Sequence, residues 1–148
     1  MKTNFDISLM CNNDKYRERL IQLYRRCLIT GFDAVQCDAA HIIPQSICYR
    51  FSLNDLVEDV YNGLILSKDL HYSFDKYFWC LDIYDIRLED NLNWCQIPII
   101  IKPNRKKLAI NQHDRQLVRV AVQSLPFLWI NYQIFLMYNY QGGKIKDR

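Results

Sequence analysis

CDAAHIIPQSICYRFSLNDLVEDVYNGLILSKDLHYSFDKYFW, residues 37 to 79, is the stretch whose reading decides the fold. It opens inside a compact apolar run, Val35 to Ile43, that Pro44 stops. A run of that length suits a short strand. Asn62-Gly63 is a turn dipeptide, since both residues tolerate positive φ. Leu64-Ile65-Leu66 is a second apolar run of strand length. Ser67 stands where an N-cap would, with Asp69 in the first turn, where negative charge is favoured. Leu70, Phe74 and Tyr77 recur at helical spacing, which predicts a helix from Lys68 to about Phe78. The predicted order is strand, connection, turn, strand, helix.

Two of the three histidines fall on this frame. His71 and Asp75 are four residues apart, so they lie on one helix face, one turn above the other. That spacing lets two side chains grip one divalent ion. His41 lies on the first strand and comes close to the pair if the three elements pack together. A base beside a metal is what phosphodiester hydrolysis needs. The metal stabilises the developing charge and the leaving oxygen, and a neutral imidazole takes a proton from the attacking water. Asn62, in the turn, can bond to the backbone or to His41 and fix its orientation. Taken singly, each residue has a plainer reading: a satisfied strand histidine, a helix cap, an ordinary turn. The ordered set carries the chemistry.

AHIIP, then NGLIL, then LHYSFD resembles the HNH endonuclease family, whose active site is the ββα-metal fold. Upstream, Cys27-Leu-Ile-Thr-Gly31 followed by Cys37-Asp-Ala-Ala-His41 resembles the C-x-x-T-G and E-A-A-H-I-x-P opening of one subgroup. The resemblance covers about residues 27 to 79, with nine residues from Asn62 to His71. It implies His41 as general base and Asn62 as the middle residue that constrains loop and base. It implies His71 as the helix metal ligand and Asp75 as the last ligand. It also implies DNA as the substrate and one divalent ion, magnesium or manganese, with zinc and nickel as alternatives. The chain departs from the family at Ala40, where many HNH enzymes carry an Asp or His ligand directly before the base. Asp38, two residues earlier on the same strand face, is expected to reach the metal directly or through water.

The 148 residues, half of them hydrophobic, fit one domain over residues 1 to 148 with a real core. The counts of 19 basic and 16 acidic residues leave a net charge of +3, which allows a local nucleic-acid face without demanding one. Six cysteines are present, Cys11, Cys27, Cys37, Cys48, Cys80 and Cys95, and no two form a C-x-x-C pair. The paired-cysteine zinc site of many HNH proteins is therefore missing. With no signal sequence at the N-terminus, the chain is expected to be intracellular, cytoplasmic or nuclear, with reduced and mostly buried thiols. A zinc site built on Cys27, Cys37 and another cysteine is the lesser reading of those two.

Around the central stretch, Asp6 to Cys11 reads as an edge strand or irregular chain. Tyr16, Leu20, Leu23, Tyr24 and Cys27 predict an amphipathic helix over residues 14 to 27. Its other face carries Lys15, Arg17, Arg19, Arg25 and Arg26, a solvated face or one that contacts phosphates. Ser52 is read as the N-cap of a helix from Leu53 to Tyr61. Arg50, the only cation of residues 45 to 61, is a candidate phosphate contact. Tyr77 to Tyr84 and Trp94 to Ile101 predict a small antiparallel sheet, with Pro98 pushing the second run toward an edge. Lys102, Arg105, Lys106 and Lys107 place four cations in six residues, a solvated turn or a DNA-backbone contact. Residues 112 to 125 read as a helix with Leu117, Val120, Ala121 and Ser124 on one side. Pro126 begins a last apolar helix to about Tyr140, too short and polar to span a bilayer. It is expected to be a core helix or the face of a homodimer.

The expected protein is α+β: a ββα-metal core with flanking helices and a small antiparallel sheet. Its expected activity is metal-dependent hydrolysis of DNA, with no membrane partner. Two other functions stand beside it. One is a non-catalytic nucleic-acid-binding module on a decayed scaffold, which Ala40 favours. The other is a zinc-stabilised interaction adaptor, which the absence of C-x-x-C pairs disfavours.

Overall fold

The computed structural model describes residues 13–102, 108–141 and 144–145. The readings made for Asp6 to Cys11, for Arg105, Lys106 and Lys107, and for the end of the charged tail lie outside the described residues. The first element, α1 (Asn13–Tyr24), turns Tyr16 and Leu20 inward on one face, both fully buried. It stops short of Cys27, because Arg25 adopts a left-handed backbone with φ 70°. A 3-10 turn (Ala34–Gln36) follows, with the Asp33 carboxylate accepting from Val35 N at 3.0 Å. It leads into β1 (Cys37–His41). The strand is shorter than the apolar run. Ile42 N still donates to Asn62 O at 3.2 Å, in register with the pairing, but Ile43 N donates to the Asn62 side-chain oxygen at 2.7 Å and so leaves the ladder.

Between the two motif strands the structure corrects the sequence reading. The helix lies at α2 (Gln45–Arg50), directly after Pro44. No α-helix runs from Leu53 to Tyr61, and Ser52 is not its N-cap: it takes φ 58° in a turn. Two 3-10 turns, Asn54–Glu58 and Val60–Asn62, carry the chain instead. The reason is local competition for backbone groups. Asn62 Nδ2 donates to Leu56 O at 3.1 Å, and the Asp59 carboxylate accepts from Tyr61 N at 2.9 Å. Both bonds break the i to i−4 ladder that an α-helix needs. The chain then enters β2 (Gly63–Ser67), buried along its whole length. It pairs antiparallel with β1, His41 opposite Gly63 and Cys37 opposite Ser67.

The helix α3 (Lys68–Asp75) begins directly after β2, which completes the predicted strand–strand–helix order. Ser67 is in the cap position, but its side chain makes no capping bond. The helix ends before the expected Phe78, since Tyr77 takes φ 58°. Trp79 Nε1 then donates to Ser73 Oγ at 2.9 Å and ties the helix to the sheet that follows.

That sheet contains β3 (Trp79–Leu81), β4 (Arg87–Leu88), β5 (Trp94–Ile101) and β6 (Leu117–Ala121), with β5 paired antiparallel to the other three. Pro98 therefore lies in a central strand, not at an edge. It falls between the residues paired with β4 and those paired with β3, and its carbonyl accepts from Asp82 N at 2.9 Å. The helix predicted over residues 112 to 125 is also overturned. Val118 and Val120 are buried while Leu117 and Arg119 are exposed, the two-residue period of a strand. Spacing that suits a helix coincided here with β-branched residues lying beside a strand that could be paired.

The chain closes with α4 (Leu125–Asn139), as predicted, and a ribbon of β7 (Tyr140–Gln141) and β8 (Lys144–Ile145). One apolar core joins Tyr16 and Leu20, the β2 strand, Trp79, Ile97 and Leu128, so α1, the hairpin, the sheet and α4 share it. Among the described residues no helix is long and apolar enough to cross a membrane.

Gly63 has an ordinary extended backbone, φ −155°, so conformational freedom is not why it is glycine. A Cβ there would collide with the Tyr16 hydroxyl and come within 2.8 Å of Leu20 Cδ1. Helix α1 sits directly on this strand end. Gly63→Ala should lower the unfolding free energy by about 1–3 kcal/mol in urea denaturation, the usual cost of overpacking. Unchanged stability would mean that α1 is not seated there.

Candidate active site

Ala39 and His41 of β1, Arg50 of α2, and His71 and Asp75 of α3 line one cleft of about 740 Å³. The pleat of β1 presents alternate residues to it. The register of β1 on β2 and the direct passage from β2 into α3 set the first helical turns against β1. Tyr77 and Tyr138 complete the lining on the side of α4, together with Gln45 and Ser46 of α2.

His41 is held by its ring. Nε2 is 2.8 Å from Val57 O. A carbonyl only accepts, so Nε2 carries the proton and Nδ1 is the basic nitrogen. The ring also stacks on Tyr16, with centroids 4.4 Å apart and planes 8° from parallel. Burial holds the His41 pKa below the ordinary histidine value, against the opposing effects of the Val57 bond and the Asp75 charge. The imidazole is therefore neutral at neutral pH.

Asn62 does not line the cleft. It is fully buried and bonds to the backbone, not to His41. Its Oδ1 accepts from Ile43 N at 2.7 Å, and its Nδ2 donates to Leu56 O at 3.1 Å and Ile43 O at 3.3 Å. Leu56 precedes Val57, whose carbonyl fixes His41, so Asn62 braces the segment that aims the ring. Its own carbonyl accepts from the Tyr16 hydroxyl at 2.6 Å.

His71 is gripped from two sides. Nδ1 is 2.9 Å from Asp38 Oδ2, and Nε2 is 3.1 Å from Asp75 Oδ2. The hydrogen bond with Asp75, and after it the one with Asp38, raises its pKa against the effect of burial. Asp38 Oδ1 is 2.7 Å from Lys68 Nζ. Burial works to raise the Asp38 pKa, but the bonds with Lys68 and His71 prevail and lower it. Asp38 is not among the residues that line the cleft, and both its oxygens are engaged. It stands one step behind the position at which the sequence suggested a ligand.

The His71 and Asp75 donors suit a divalent ion. Adjacent ligands of an octahedral ion at about 2.1 Å are separated by roughly 3 Å, close to the 3.1 Å between Nε2 and Oδ2. Among the described residues no group of three or more His, Cys, Asp or Glu side chains is arranged to hold a metal. A pair of protein ligands matches an ion that keeps several waters and takes others from phosphate. It does not match a four-ligand zinc site. The two cysteines considered for zinc serve the loops. Cys27 Sγ accepts from Thr30 N and Ser67 N at 3.4 Å each, and Cys37 Sγ donates to Asp33 O at 3.4 Å.

Of the cations proposed to contact nucleic acid, Arg50 is exposed and lines the cleft. Arg25 and Arg26 are exposed but do not line it, and Arg26 Nη1 donates to Gly31 O at 3.2 Å. Lys102 is a correction. Only 3% of it is exposed, with its ammonium 5.7 Å from the centroid of the Phe78 ring, so it is not presented to a DNA backbone. Arg17, from the basic face of α1, turns inward to Cys37 O and Ala34 O. Tyr16, Val57 and the Tyr77–Tyr138 pair escaped the sequence reading. Tyr16 is visible in the sequence only as one residue of an apolar stripe, and a contact made by the Val57 carbonyl leaves no side-chain signal.

Residues 27–82 match the family model described as HNH endonuclease. The match spans under half of the chain, takes in β1, β2 and α3, and leaves out α1 and α4. It bears out the resemblance carried by AHIIP, NGLIL and LHYSFD, and the α+β architecture agrees with an HNH ββα core. No curated protein matches the chain.

Proposed function

We propose that this protein, whose residues 27–82 match the HNH endonuclease family model, is a metal-dependent endonuclease that hydrolyses phosphodiester bonds in DNA. The observation that carries this reading is the pinned His41. Its Nε2 is committed to Val57 O at 2.8 Å, and its ring lines the same cleft as the His71/Asp75 pair. His41 takes the proton of the attacking water at Nδ1. Asn62 positions it through the Leu56–Val57 backbone, and Tyr16 backs the ring.

His71 and Asp75 would hold one divalent ion, magnesium or manganese. When bound, the ion supplies neutralisation of the charge that develops on the phosphate and the leaving oxygen. Asp38 orients His71 by accepting at Nδ1, which would leave Nε2 for the ion. A carboxylate behind a ligand histidine is the usual second layer of a metal site. In this way Asp38 would compensate for the ligand missing at Ala40 by orienting His71. Arg50 contacts a phosphate beside the scissile one.

Supercoiled plasmid incubated with purified protein tests the reading. Nicking or linearisation is expected with magnesium or manganese and none with EDTA. Since His41 must be neutral to act and burial lowers its pKa, the rate should rise with pH and level off with a midpoint below about 6.5, the ordinary histidine value. A midpoint above that value at saturating metal, where proton competition at His71 is suppressed, would remove His41 from the role of base. Salt-sensitive DNA binding with no cleavage under any metal would favour the non-catalytic module.

Asp38→Asn separates an orienting residue from a bystander. Titration calorimetry with manganese on EDTA-stripped protein should show an affinity about 10- to 100-fold weaker than that of the unaltered chain. Equal affinities would leave Asp38 a surface salt-bridge partner of Lys68.

A further inference from the structure

The cleft holds an aromatic pair that the proposed chemistry does not use. Tyr138, on α4, stacks on Tyr77, with centroids 4.4 Å apart and planes 28° from parallel. Both residues line the same cleft as His41, His71 and Asp75. Tyr77 is buried, whereas Tyr138 is 41% exposed.

The pair is built rigidly. Tyr77 adopts φ 58°, a left-handed backbone that a bulky residue takes only when its surroundings hold it there. The brace is Asn139, 1% exposed, whose Nδ2 donates to Tyr77 O at 3.0 Å and to Phe135 O at 2.8 Å. Asn139 directly follows Tyr138, so the residue that locks the strained turn also fixes the end of α4 that carries the exposed ring. Tyr138 and Asn139 both lie outside the family-matched segment.

We propose that Tyr77 and Tyr138 form a stacking platform for an unpaired nucleobase beside the scissile phosphate, so that single-stranded or locally melted DNA is the preferred substrate. The proposal rests on the nuclease reading of the same cleft. Within an intact duplex both faces of each base are covered by neighbours, so a base can lie on a protein ring only after it leaves the stack. A volume of about 740 Å³ is in the range that accepts a small organic ligand of nucleotide size. Gln45 and Ser46 add an amide and a hydroxyl to the lining, groups that hydrogen-bond to base edges. Stacking on an aromatic face tolerates any base, so the platform selects strand state and not sequence.

The test uses the full chain carrying His41→Ala, so that binding is read without cleavage. Fluorescence anisotropy with a labelled single strand and with the matching duplex should show tighter binding of the single strand. Adding Tyr138→Ala should weaken single-strand binding by roughly ten-fold or more, the scale of one base–aromatic stack, with little change for duplex. Tyr138→Phe, which keeps the ring, should bind the single strand as the unaltered Tyr138 does. Circular dichroism of each variant checks that the fold persists, and Tyr138→Leu supplies a second truncation if Tyr138→Ala does not fold. A duplex preference, no binding of either DNA, or equal losses on both forms would overturn the platform. If the single-strand effect of Tyr138 holds while the His41 protein cleaves nothing with any metal, the platform stands and the nuclease reading falls. If cleavage is metal-dependent and indifferent to Tyr138→Ala on every strand form, the reverse is true.

Discussion

The site depends on one buried amide. Asn62 spends its whole side chain on the backbone, at Ile43 and Leu56, and its carbonyl receives the Tyr16 hydroxyl. Buried polar groups are costly unless satisfied, and satisfied ones fix a unique arrangement. These bonds end β1 and shape the 3-10 turns, and they hold the Val57 carbonyl against His41. Tyr16 adds the stacked ring from a helix far away in sequence. The orientation of the His41 ring is thus set by groups that do not line the cleft.

A second relay runs from Lys68 through Asp38 to His71 and then to Asp75. It crosses from β1 to α3 and needs the hairpin register that sets Asp38 opposite Leu66, just before the start of the helix. Ala40 contributes no ligand, and its place in the hairpin is a filled core position with no exposure. The two relays converge from opposite ends of the hairpin. One prepares a neutral imidazole, and the other holds a histidine–carboxylate pair at the separation of adjacent metal ligands.

The hairpin and helix could be read from the sequence because their signals were local. Pro44 stopped one run, the Leu64-Ile65-Leu66 run was short, and α3 had a clear spacing. The proximity of His41, His71 and Asp75 followed from that order. What could not be read depended on partners distant in the chain. Gly63 looks like a turn glycine, but it is small because Tyr16 lies on it. Leu117, Val120, Ala121 and Ser124 fit a helical stripe until β5 is there to pair with the segment. Lys102 stands at the head of a basic run, yet folding carries its side chain under Phe78. The roles of Val57 and Tyr138 arise from a main-chain carbonyl and a stacked ring, neither of which has a sequence pattern.

The central claim is that His41 supplies the base in a metal-dependent cleavage of DNA. Chemical rescue tests it most directly. His41→Gly leaves a space beside Tyr16 and Val57 that free imidazole can enter. With magnesium or manganese present, the variant should be nearly inactive alone, and added imidazole should restore cleavage in proportion to its neutral form. Cleavage by His41→Gly at the unaltered rate, with no imidazole, would contradict the account.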